Sequence, residues 1–217
     1  LLALGARDDI DFLTDSADQR LDNARILGSA QRSAVAGLTW QRTLTNGALT
    51  VTLGHTRTTF DSRQVDTTGT TIFAAQSREA ESSLRTDLLL APRSDLELRF
   101  GAVGRIAPAL HYDVTLPGAL RRDGNGVPQP LRVDSTFSAR RVAAYAEATW
   151  RPREQWRGTG GLRADRYAWI GNAVYLSPRL SVARDVSSAT TVTATFGRTI
   201  QPPPFIWQVG DPTNGVL

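Results

Sequence analysis

The sequence predicts an all-β chain, an antiparallel up-and-down transmembrane β-barrel segment of about nine strands belonging to a larger barrel. Three observations carry this. Apolar and polar residues alternate over stretches of about ten residues, the length a tilted membrane strand needs and about twice that of an average globular strand. Four short turns, at 45–47, 92–95, 152–155 and 186–189, alternate with longer or more variable connections. Bacterial outer-membrane barrels are built this way, with tight periplasmic turns and larger outer loops. Finally, Trp40, Trp150 and Trp156 each stand beside a short turn, where interface aromatics belong.

Taken in order, residues 1–10 form a short strand candidate, and 11–22 a polar, acidic connection carrying Asp15, Asp18 and Asp22. A long strand over about 25–44 puts Ala34, Ala36, Leu38 and Trp40 on one face and Ser33, Gly37, Thr39 and Gln41 on the other, because strand side chains alternate. Asn46-Gly47 is a hairpin signal, since that pair readily supplies positive φ angles. Leu49, Val51 and Leu53 continue the apolar face opposite Thr50, Thr52 and Thr56. After a polar connection at 64–69, a strand over about 71–91 shows a charged first half (Arg78, Glu79, Glu81), expected to project beyond a membrane, and an apolar second half (Leu84, Leu88, Leu90). Leu96, Leu98, Phe100 and Ala102 then alternate with Glu97, Arg99, Gly101 and Val103. The stretch 116–134, rich in Pro and Gly, reads as a long loop, of a length that is uncommon unless functional or mobile. Val142, Ala144, Ala146, Ala148 and Trp150 form the next apolar row opposite Arg141, Tyr145, Glu147 and Arg151. Three strands over 156–198 complete the pattern. Phe60, Phe73, Tyr112, Phe137, Tyr167 and Trp169, at the strand ends away from the short turns, suggest a second aromatic girdle.

The C-terminal fifth adds a resemblance. GLRADRY from Gly161, followed by LSPRLSVARDVSSATTVTATFGRTIQPPPF from Leu176, resembles the barrel of TonB-dependent outer-membrane receptors: a "GLRYD" strand, then "PRL", then a strand ending "FGR" before a Pro-rich outer loop. The likeness is close over about 45 residues and elsewhere rests on strand rhythm. It implies a receptor and transporter of the outer membrane of a Gram-negative-type bacterium, taking up a scarce ligand such as a siderophore, and no enzyme. It also implies a plug domain in the same polypeptide and the periplasmic partner TonB; neither the plug nor a TonB box is expected within these residues. Outer loops at 117–133 and 201–217 would capture the ligand.

Composition narrows the alternatives. Mean hydropathy is −0.25, and no apolar run approaches the roughly 18 residues of a membrane helix. The net charge of +4 invites a nucleic-acid reading, but all 25 basic residues are Arg and are interleaved with 21 acids, without a basic block. No nucleic-acid partner is expected. Absence of Cys removes disulfides, thiol catalysis and Cys-based metal sites. With no Met, and a first residue that already lies in a strand pattern, the chain reads as a single-domain fragment of a larger polypeptide.

No catalytic, cofactor-binding or metal-binding residue stands out, and no cofactor is expected. His55 and His111 lack zinc-type spacing and read as surface or lumen residues. Asp165 and Asp185, beside arginines on the polar face, read as charge pairs across strands. The DGNG at 123–126 lacks a strand before it and a helix after it, and reads as a loop. Pro202-Pro203-Pro204, after a strand, reads as a stiff outer loop, with a polyproline ligand as the alternative. Arg85, Arg99, Arg105, Arg141, Arg157, Arg163 and Arg179 would line a solvated or plugged lumen. Lipid is the expected partner of Leu98, Val142, Ala146, Val182 and Val192, and the lumen that of Glu97, Tyr145, Ser181 and Thr193. A passive porin, an adhesin barrel and a soluble β-sheet domain remain the alternatives.

Overall fold

The computed structural model describes residues 1–10, 15–23, 27–171 and 173–205, with backbone alone at 23 and 117–121. Its nine strands are β1 (Leu2–Ile10), β2 (Gly28–Leu44), β3 (Gly47–Val65), β4 (Thr71–Arg93), β5 (Leu96–Arg122), β6 (Pro128–Arg153), β7 (Trp156–Tyr167), β8 (Val174–Ser187) and β9 (Thr190–Gly197). They form one sheet in the order β1 to β9, every neighbouring pair antiparallel. Such an up-and-down sheet, open between β1 and β9, is a barrel segment.

The turns keep the asymmetry read from the sequence. The hairpins β2–β3, β4–β5, β6–β7 and β8–β9 close through two residues each, while 66–70, 123–127 and 168–173 separate the strands at the other end. Some particulars differ. The connection after β1 contains a short helix, α1 (Ala17–Asn23), capped reciprocally: Gln19 N donates to Ser16 Oγ at 3.1 Å and Ser16 N to Gln19 Oε1 at 3.1 Å. The stretch 116–134 is mostly ladder, with Leu116 opposite Leu131 and Arg122 opposite Pro128. Its loop shrinks to 123–127. Gly47 is needed for space and not for a positive φ: it is the first residue of β3, and a Cβ there would stand 2.0 Å from the Leu89 carbonyl oxygen.

Positive φ instead serves the other end of the sheet. Gly69 (φ 85°) and Gly126 (φ 81°) occupy equivalent places in two turns of one design, in which an aspartate three residues earlier gathers the backbone. Asp66 Oδ1 accepts from the amides of Thr68 and Thr70, both at 2.8 Å, and Asp123 Oδ1 from those of Asn125 and Val127, both at 2.9 Å. Hydrogen bonds from Thr68 and Thr70 hold the Asp66 carboxyl below its ordinary range, and those from Val127 and Asn125 do the same for Asp123.

Curvature crowds one face of the sheet and opens the other. Along β6 the apolar row Val142, Ala144, Ala146 and Trp150 is exposed, whereas Ala143, Tyr145 and Glu147 between them are covered. An exposed apolar face over a covered polar one is the inverse of a soluble sheet, and it is the pattern of a barrel wall in lipid.

The borders of the outer apolar band can be followed strand by strand. Ten residues separate Arg42 from Arg32 on β2, Trp150 from Arg140 on β6, and Trp156 from Arg166 on β7. The registers carry Arg42 across to Ala146 and Ala36 to Arg140, so both borders descend by four residues between β2 and β6. At about 3.3 Å per residue and about 4.8 Å per strand, that is about 13 Å over about 19 Å, a tilt of about 35°. A band ten residues long at this tilt is about 27 Å tall, close to the apolar belt of outer-membrane barrels. The three tryptophans expected at the interface all lie on this outer face near its lower border. Trp150 Nε1 donates to Asp95 at 3.0 Å, and the Arg184 guanidinium lies 5.0 Å from the centre of the Trp156 ring.

Candidate functional site

The covered face of the sheet has two zones. Below, on β4 to β8, it carries paired charge. Arg85 pairs with Asp87 at 2.6 Å, Arg99 with Glu97 at 2.8 Å, Arg105 with Glu81 at 3.2 Å and Arg179 with Glu147 at 3.5 Å. Asp165, 3% exposed, accepts from both Arg141 (2.7 Å) and Arg163 (2.7 Å). Several pairs join residues two apart on one strand, the spacing that puts side chains on one face. The reading of Asp165 as a charge partner therefore holds; Asp185 instead accepts from the Thr191 hydroxyl at 2.6 Å. Tyr145 crosses β5 to donate to Asp87, and Gly101 makes this possible, since a Cβ there would lie 2.3 Å from the tyrosine ring.

Above, the same face turns aromatic. In β5 this comes from a register slip. Pro108 has no N–H for the ladder, and the register slips between Ala107 and Leu110. A one-residue slip exchanges the faces. Below it Leu98 and Phe100 point outward; above it Leu110, Tyr112 and Val114 point inward and are 1%, 2% and 7% exposed. Tyr112 stacks on Phe137 with ring centres 6.0 Å apart and donates to Glu79. Phe60, Phe73, Tyr112, Val114, Leu116 and Leu131 line an apolar concavity of about 520 Å³.

The second girdle expected from Phe60, Phe73, Tyr112, Phe137, Tyr167 and Trp169 is thus corrected. The registers place the first five on the inner face, and Trp169, in the connection after β7, packs there against Tyr167, because the strands run beyond the bilayer and lipid no longer dictates which face is apolar. The Pro202–Pro204 stretch is corrected too. It lies against the inner wall, where Gln201 to Phe205 share a cleft with Glu81, Arg105, Arg141 and Trp169. Phe205 meets Trp169 with ring centres 5.2 Å apart and Phe137 at 5.8 Å. Of the two stretches expected to capture ligand, 117–133 is mainly strand, and 206–217 lies outside the described residues.

Beneath the proline stretch, Tyr167 packs edge-on to Trp169, with the Arg141 guanidinium 5.1 Å from its ring centre. Its hydroxyl and the Trp169 Nε1 are buried without a partner among the described residues. Sequence reasoning offered no signal for these two donors. The histidines lie apart on the outer face: His55 Nδ1 is 2.9 Å from Ser82 Oγ, and His111 Nδ1 is 3.0 Å from Thr136 Oγ1.

A family model described as TonB dependent receptor-like, beta-barrel, matches residues 3–215. No curated protein matches the chain.

Proposed function

The chain belongs to the TonB-dependent receptor-like β-barrel family, and on that premise we propose that it walls the passage of an outer-membrane receptor that imports a scarce ligand. The carrying observation is the zoning of the inner face. Aromatic and apolar surface at the loop ends, with the unpaired donors of Tyr167 and Trp169 beside it, suits first contact with a ligand that carries both ring surface and acceptors. The ladder of internally neutralised charge below it suits a polar plug or water, because each pair keeps its own partner while groups slide past. In this reading the plug belongs to the same polypeptide, and TonB supplies the energy from the periplasm.

Uptake by cells carrying or lacking the parent gene tests the proposal, with labelled siderophore, cobalamin, saccharide and peptide panels. Import of one class should depend on the gene and cease when a protonophore collapses the proton gradient. Gene-dependent uptake that survives the protonophore would make the protein a porin.

A further inference from the structure

The inner and outer arginines differ in one respect. Six of the seven inner arginines expected from the sequence have a carboxylate partner, whereas Arg32, Arg57 and Arg78, exposed on the outer face, pair with no carboxylate among the described residues. Their placement is specific. Arg32 and Arg78 both lie opposite Thr59, on either side of β3, and Arg57 stands on β3 two residues nearer the short turns. At ordinary strand spacing the two flanking backbones are about 10 Å apart, with Arg57 about 7 Å below the line joining them. The three line a groove of about 550 Å³ that also presents Thr59 and Gln76. Its one carboxylate, Asp61, is engaged by Gln76 Nε2 at 2.8 Å. Further along the arginine row Arg7 is paired with Asp9 at 3.0 Å, and His111 lies 3.8 Å from Asp134. The groove begins where the apolar band ends, with Arg32 marking that border on β2.

We propose that this groove binds the phosphate groups of an outer-leaflet glycolipid. Fixed guanidiniums at the height of the headgroups, left without internal counterions, match bidentate phosphate acceptors. Thr59 and Gln76 offer hydrogen bonds to the adjoining sugar, and the apolar band directly below receives the acyl chains. An inner-wall arginine could not take this role, because it faces away from lipid and, in six of the seven, its charge is already neutralised.

The inference rests on the membrane reading, so the experiment separates the two. The intact parent protein is inserted into phosphatidylcholine vesicles, and insertion is scored by the gel shift of the unheated barrel. Binding of a diphosphorylated glycolipid, its dephosphorylated counterpart and inorganic phosphate is then measured in detergent by native mass spectrometry. The wild type should insert and hold the diphosphorylated glycolipid. The R32Q/R57Q/R78Q variant should insert equally well yet bind about a hundredfold more weakly, at about fivefold per arginine. A control lacking Arg151, Arg153 and Arg157 at the opposite end should bind as the wild type does. Equal binding by the triple variant, equal binding of the dephosphorylated glycolipid, or inorganic phosphate binding as tightly as the glycolipid would each overturn the proposal. Failure of the wild type to insert would instead remove the membrane reading beneath it.

Discussion

Replacing Ala146 by Arg asks whether the outer face of β6 meets hydrocarbon. Ala146 lies four residues from Trp150 and six from Arg140, near the middle of a band about 27 Å tall. A charge there should cost about 2–4 kcal/mol. Val142 is two residues from Arg140, within about 5 Å of the upper border at the observed tilt, so Val142→Arg should cost only about 0–1 kcal/mol although more apolar surface is removed. Ser181→Arg on the inner face should also cost little, since the Ser181 hydroxyl only meets that of Thr195 at 3.2 Å in a polar wall. Denaturant unfolding of the parent protein in phospholipid vesicles, followed by tryptophan fluorescence, gives all three values. A flat series along β6, or a cost at Ser181 equal to that at Ala146, would refute the band. A larger penalty at Val142 than at Ala146 would indicate loss of packing in place of exposure to lipid.

Other consequences follow from particular contacts. Asp165→Asn leaves Arg141 and Arg163 without their shared anion and should cost about 2–3 kcal/mol, below the range for a fully buried pair because both guanidiniums are about a quarter exposed; adding Arg163→Gln should recover part of the loss in a double-mutant cycle. Gly101→Ala should cost about 1–3 kcal/mol by driving the Tyr145 ring off Asp87, and much less in a Tyr145→Ala background, where the ring that the new methyl would meet is gone. The Asp66 and Asp123 turns should be acid-labile. Both carboxyls titrate lower folded than unfolded, so their stabilisation is complete above about pH 4 and is lost as the pH falls through the lowered folded values. Amide exchange at Thr68, Thr70, Asn125 and Val127 should accelerate over that window.

Lipid makes the lower half of this fold legible. Wherever a strand crosses hydrocarbon, every second residue must be apolar, so the rows from Trp40 to Ala34 and from Trp150 to Val142 could be read directly from the sequence, and the two-residue turns follow where the rows stop. Above the bilayer that constraint lapses. Phe60, Tyr112 and Phe137 then look like interface aromatics from spacing alone, yet they face inward: Phe60 and Phe137 keep the inward parity of β3 and β6, and a slip at Pro108 exchanges the faces of β5 and turns Tyr112 inward. The helix at Ala17–Asn23 had a readable signal, Ser16 three residues before Gln19, inside a segment whose acidity suggests only a loop. The Asp-x-x-Gly spacing of 66–69 and 123–126 likewise marks tight turns, the first in what reads as a polar connection and the second in what the Pro and Gly content presents as a long loop. The unpaired Tyr167 and Trp169 donors depend on how Phe205 returns across the wall, a long-range contact that no local pattern encodes.

The central claim is that one face of this sheet meets lipid below an oblique border and water above it, and a cysteine scan along β6 tests this most directly. The stretch contains no native Cys, so single replacements at 132–150 can each carry a nitroxide in the parent protein reconstituted into vesicles. Collisions with oxygen, which concentrates in hydrocarbon, should peak at 142, 144, 146 and 148, while 132, 134, 136 and 138 on the same face respond to a water-soluble nickel chelate. The changeover should fall at Arg140. Oxygen maxima at 143, 145 and 147, or one solvent signature along the whole even row, would contradict the account.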